Sequence, residues 1–172
     1  MLGSYTGLAA VPARFALERQ AWKEAAALEP RGSKFPQAEA ITHFARAMGS
    51  ARSGDLAAAE RDVENLKVIR AALENASQSC WATQVEIQML AASAWIAQAK
   101  GEKETALKLM GTAADLEDDS EKHIAMENRL YPMRELLGDL LLEQQQAGLA
   151  LTEYETFARV DAQPSAWLVR RS

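Results

Sequence analysis

Pairs of small residues set twelve positions apart, with a helix break between them, constrain this chain more than anything else in it. Residues 133–161, MRELLGDLLLEQQQAGLALTEYETFARVD, show the unit most plainly. Leu136, Leu137, Leu140 and Leu141 fall on one stripe of a helix. Ala150, Leu151, Tyr154 and Phe157 fall on one stripe of a second, and both follow the three-and-four spacing of a buried helical face. The run 144–147 separates them, so the stretch predicts a helix hairpin. Gly138 and Ala150 carry no bulk to hold two backbones apart and mark the expected point of closest approach. The pairing recurs upstream: Ala13 precedes Ala25, Ala47 precedes Ala59 and Ala94 precedes Ala106, each by twelve residues. Five positions before the second small residue of each pair stand Gln20, Gly54, Gly101 and Gln145, each at an expected break. Four positions after it stand Val63, Met110 and Tyr154, with Glu29 as the exception.

Composition points the same way. Alanine is abundant, β-branched residues are sparse, and Pro12, Pro30, Pro36, Pro132 and Pro164 fall where helices would begin or stop, so strands are not expected. The 172 residues suit one domain with a sizeable core. Pro12 is expected to open a short helix and Pro30 to close a second. Pro36 opens a longer helix that stops at Ser53-Gly54-Asp55, with glycine suited to the C-cap and aspartate to the next N-cap. The expected hairpins cover about 12–30, 36–74, 79–117 and 132–161, followed by a short helix over about 164–170 that carries Trp167 and Leu168. Between 120 and 131 the one firm expectation is a boundary at Tyr131, which Pro132 disfavours as helical.

The net charge of −5 opposes adhesion to nucleic acid or to an anionic membrane and favours neutral or basic partners. Cys80 is alone and cannot form an internal disulfide, which fits a reducing compartment. No basic flank precedes the mildly apolar start, so no signal peptide is expected, and no window is apolar enough to span a membrane. A soluble, cytoplasmic protein is the expectation.

With its paired small residues, turn glycines and later bulky residue, the stretch from Pro12 to Asp161 resembles the tetratricopeptide repeat. The first two anchors, Ala25 and Ala59, are 34 residues apart, the family's usual period, while the next intervals are 47 and 44. The family's tryptophan position holds His43, Leu90 and Arg134, and its closing proline is mostly absent. More narrowly, ARFALERQAW, AITHFARAMGSARSGDLAAAE, EIQMLAASAWIAQAKG and MRELLGDLLLE look like the C-terminal part of a group of bacterial tetratricopeptide proteins of undefined role. The resemblance implies an all-α fold of antiparallel hairpins stacked as a right-handed α-solenoid, and a chain that corresponds to a piece of something longer.

No motif for catalysis, metal or cofactor is present: no HExxH, no paired-cysteine metal spacing, no GxxxxGK and no GxSxG. His43 lies one turn after Glu39 and is read as a satisfied structural histidine ahead of an oriented base. His123 sits in a polar run and is read as solvated. The acidic run Glu117, Asp118, Asp119 and Glu121 lacks calcium-loop spacing and is read as a solvated helix end. Cys80 has no basic neighbour in sequence to activate it and is read as a small core residue.

The expected function is therefore non-catalytic: a groove that holds an extended or helical segment of a partner protein. The repeat geometry implied by the resemblance names the residues that look into it. They are Phe44, Met48 and Arg52, then Ala91, Trp95 and Ala99, then Glu135, Asp139 and Glu143. The three carboxylates would stack on one helix face without a cation, which a basic group of the partner would relieve. Two alternatives stand beside this reading. One is a small molecule held in a closed apolar pocket between hairpins. The other is self-association, as a homodimer, through an uncovered flank around Phe15, Leu17 and Trp22.

Overall fold

The computed structural model describes residues 2–120 and 130–161, with side chains over 7–120 and 130–159. The expected helix at 164–170, His123 and Glu121 lie outside the described residues. Within them the chain is all helix, in the order α1 (Leu2–Glu18), α2 (Trp22–Ala26), α3 (Pro36–Ser53), α4 (Leu56–Asn75), α5 (Ser79–Ala99), α6 (Lys103–Asp119), α7 (Met133–Glu143) and α8 (Ala147–Asp161).

The twelve-residue pairs organise these helices. Ala13, Ala25, Ala47, Ala59, Ala94, Ala106 and Ala150 have no exposed surface, and Gly138 is buried with them. At the four expected breaks the backbone enters the left-handed region, with φ of 53° at Gln20, 89° at Gly54, 82° at Gly101 and 62° at Gln145. Glycine adopts that conformation freely, whereas each glutamine accepts a cost of roughly 1–2 kcal/mol to make the same turn. Asp55 caps α4 by accepting from the Ala58 amide at 2.9 Å.

Each helix packs on its neighbours in sequence, and beyond these α1 packs on α3 and α3 on α5, while α5 only touches α7. The odd-numbered helices thus touch one another in one layer, and the even-numbered helices make no comparable contact among themselves. Phe44, Met48, Leu66, Leu73, Ile87, Met110 and Leu140 are the large side chains of the shared core.

Several expectations need correcting. Pro12 does not open the first helix: α1 begins at Leu2 and the proline lies inside it. A proline there removes the donor that the Leu8 carbonyl would have had, and both residues lie on the solvent side, where water can replace it. Pro30 does not close the second helix, because α2 has already ended at Ala26. Leu151 is 59% exposed rather than part of the buried stripe, since one residue past Ala150 turns it well away from the core. Over Gly138 the nearest neighbour is the Tyr154 ring: an added Cβ would stand 2.5 Å from that ring, so the aromatic fills the space the glycine leaves.

The acidic run at the end of α6 is not simply solvated. Glu117 is only 4% exposed and accepts from the Met133 amide at 2.9 Å, serving as the cap that Pro132 cannot supply to α7. Asp118 pairs with Arg134 at 2.7 Å, and Arg134 also reaches Glu153 at 2.8 Å and Asp115 at 2.9 Å. Burial alone would lower the Arg134 pKa, but the hydrogen bonds to Glu153 and Asp118 outweigh it and hold the guanidinium more firmly charged. One arginine therefore ties α6, α7 and α8 together.

Candidate interaction surface

Arg52, Trp95 and Glu143 belong to three different hairpins and meet at one place. Arg52 stands in the last turn of α3, Trp95 in the last half of α5 and Glu143 at the end of α7, so the three parallel ends of the odd layer supply them. The Arg52 guanidinium lies 4.4 Å from the centre of the Trp95 ring and 4.9 Å from that of Trp22, and it forms an ion pair with Glu143. Two indole faces and a carboxylate thus surround one cation. Its charge is favoured there because both ring quadrupoles present their negative faces. The side chains of Arg52 and Glu143 keep 22% and 37% of their exposure, so the cluster reaches the surface. Beside it the Gln144 amide donates to Gln98 at 2.9 Å and to the Lys103 carbonyl at 3.1 Å, which joins α7 to the α5–α6 turn.

Trp22 was not among the groove residues expected from sequence. It is the first residue of the second helix of its hairpin, and its place directly after the α1–α2 turn puts it at this end of the layer. Trp95 is 3% exposed, and its buried indole Nε1 has no acceptor among the described residues.

Phe44 and Met48 do not line a surface. They are 0% and 1% exposed, enclosed by the helices packed around α3. Ala91 is likewise fully buried. The three carboxylates also differ from their expected state. Glu143 has its cation in Arg52, from a hairpin two units away in sequence. Asp139 accepts from the Tyr154 hydroxyl at 2.7 Å. Tyr131 stands in the same group: burial, followed by the charges of Asp139 and Glu135, pushes its phenol up to about 12, and Tyr154 is shifted upward for the same first reason, burial, with its bond to Asp139 next. Both phenols remain protonated donors near neutrality. The like charges expected to invite a basic partner are thus partly satisfied from within.

His43 is buried as expected of a structural histidine, but its partner is Asp62 of α4 rather than Glu39. An ionised carboxylate only accepts, so Nδ1 of His43 donates to it, at 2.7 Å. Arg46 Nε donates to both Asp62 oxygens at 3.1 Å. Nowhere among the described side chains do three of His, Cys, Asp and Glu gather as metal ligands would. No described helix is long and apolar enough to cross a membrane. Set against known protein families, curated proteins and solved structures, the chain finds no match, so its function has to be read from this geometry.

Proposed function

We propose that the helices form a right-handed α-solenoid of the tetratricopeptide type, with α1, α3, α5 and α7 on the inner side, and that the protein is a non-catalytic module holding a peptide or helix of a partner protein. Contact running from α1 to α3 to α5, closer than any between even-numbered helices, is how a stack curved around the odd helices packs. The observation that carries the functional reading is the convergence of Arg52 and Glu143, at the same place in their hairpins, and Trp95, one turn earlier in the hairpin between them, on one partly open cluster. The partner's apolar side chain rests on Trp22, and its basic group meets Glu143 and Asp139, in keeping with the net charge of −5. The binding segment is neither nucleic acid nor membrane.

The test is affinity capture from the native host lysate with the parent protein, with Glu143→Lys and with Trp22→Ala, folding being checked by circular dichroism. A partner captured by the parent is expected to bind each folded variant at least about tenfold more weakly, with reduced salt dependence for the charge reversal. Equal binding by both folded variants ends the proposal.

Self-association is the second reading, favoured by Leu8, Val11 and Phe15 of α1, which are 73%, 70% and 57% exposed. Leu17 and Trp22, expected in the same flank, are not: Leu17 is buried and Trp22 lies against Arg52. A clean monomer by sedimentation at high concentration removes this reading.

A further inference from the structure

The second helices of the hairpins are unequal. α4, α6 and α8 have 20, 17 and 15 residues, and α2 has five. After Ala26 the chain continues irregularly through 27–35, and the side of α1 and α3 that a full-length second helix would cover is left open. What remains is a cavity of about 660 Å3, within the range typical of small-molecule sites. Leu8, Ala9 and Pro12 of α1, Leu28 of the irregular segment and Ala38 of α3 line it. Its outer wall is anchored, because Arg46 Nη1 donates to the Leu28 carbonyl at 2.6 Å while its Nε is held by the buried Asp62.

Among the described residues the lining contains no aromatic side chain, which suits an aliphatic chain better than a planar ring. Its polar groups are mostly donors. Thr42 and Ser33 contribute hydroxyls, and Ser33 Oγ already accepts from the Phe35 amide at 3.1 Å, which leaves its proton to donate. Arg31 lines the cavity with no ion pair to a described carboxylate. Glu29 is the other charged residue among the described lining, so the pair tolerates a single negative charge and disfavours a polyanion.

We propose that this cavity is a binding site for a small aliphatic monocarboxylate, its alkyl chain against Leu8, Pro12 and Leu28 and its carboxylate on Arg31. The site is separate from the Arg52 cluster, and neither reading depends on the other.

The test is calorimetric titration of the whole protein with octanoate, octanol and octylammonium, together with amide shift mapping of the octanoate titration by NMR. Octanoate is expected to bind once, with shifts concentrated at 8–12, 27–33 and 38–42, and Arg31→Ala to weaken it by about tenfold. Ala9→Trp, which fills the cavity from α1, is expected to abolish binding. Failure of octanoate to bind at about 1 mM overturns the proposal, as does octanol or octylammonium binding equally well. Shifts located elsewhere overturn it too, and they keep the test decisive if Ala9→Trp does not fold.

Discussion

Asp62→Ala is expected to destabilise the fold by roughly 3–5 kcal/mol, the range observed when one partner of a buried ion pair is removed. Asp62 is 2% exposed and is held by two donors at once, Arg46 at 3.1 Å and His43 at 2.7 Å. Without it a guanidinium and an imidazole N–H lose their acceptor in a region that water reaches poorly. The Arg46 side chain keeps 28% exposure, so its desolvation is incomplete and the lower half of that range is the better expectation. Asp62→Asn keeps the volume and one acceptor oxygen and should lose clearly less. Urea unfolding followed by circular dichroism measures both. A loss below about 1 kcal/mol for the alanine variant would show that the network is dispensable. The same network holds the Leu28 carbonyl, so the irregular segment after α2 should loosen with it.

Gly49→Ala carries the second large effect, and its value lies in a comparison of sign. A Cβ at Gly49 would stand 2.5 Å from the Ala26 nitrogen and from the Trp22 carbonyl oxygen, and 2.8 Å from the Ala25 Cβ. These atoms belong to the backbone and stem of α2, so the helix itself must move. Overpacking of this kind costs about 1–3 kcal/mol, and it has to exceed the gain of up to about 1 kcal/mol that alanine brings to a helix interior. A net loss of about 2 kcal/mol is expected. At Gly111, inside α6, an added Cβ meets nothing within 4 Å, so Gly111→Ala should stabilise by up to about 1 kcal/mol. Displacing α2 also moves Trp22 off Arg52, and a change in tryptophan emission should accompany the loss. Thermal unfolding of the two variants side by side decides the matter: equal and favourable shifts would mean that α2 does not pack on Gly49 as described.

How far the sequence foretold this structure depended on distance along the chain. The small-residue pairs and the breaks between them are local properties, set by which side chain lies on which turn. Ala59, Ala106 and the left-handed Gly54 and Gly101 follow from counting along a helix. Gly49 escaped the same count, because it meets α2, a helix of the preceding hairpin, and not a partner set by the twelve-residue spacing. Asp62 on His43 and Glu117 on Met133 are bonds across 19 and 16 residues, whose partners only the packed hairpins select. At the candidate surface, the expectation placed Arg52, Trp95 and Glu143 along one groove, and in the structure these three side chains meet. It could not foresee that they would take one another as partners, or that neighbouring helices would enclose Phe44 and Met48.

Packing between sequence neighbours also sets an order of assembly. Nearly every helix meets its partners as soon as the adjoining stretch of chain exists, so nucleation can begin at any hairpin and spread without a long loop closing first. The bond from Arg14 Nε to the Leu130 carbonyl, at 3.4 Å, departs from that rule, joining residues 116 positions apart. Its partners come together only when α1 and the segment just before α7 have docked, so it belongs to a late stage of folding and reports on contact between two distant parts of the chain.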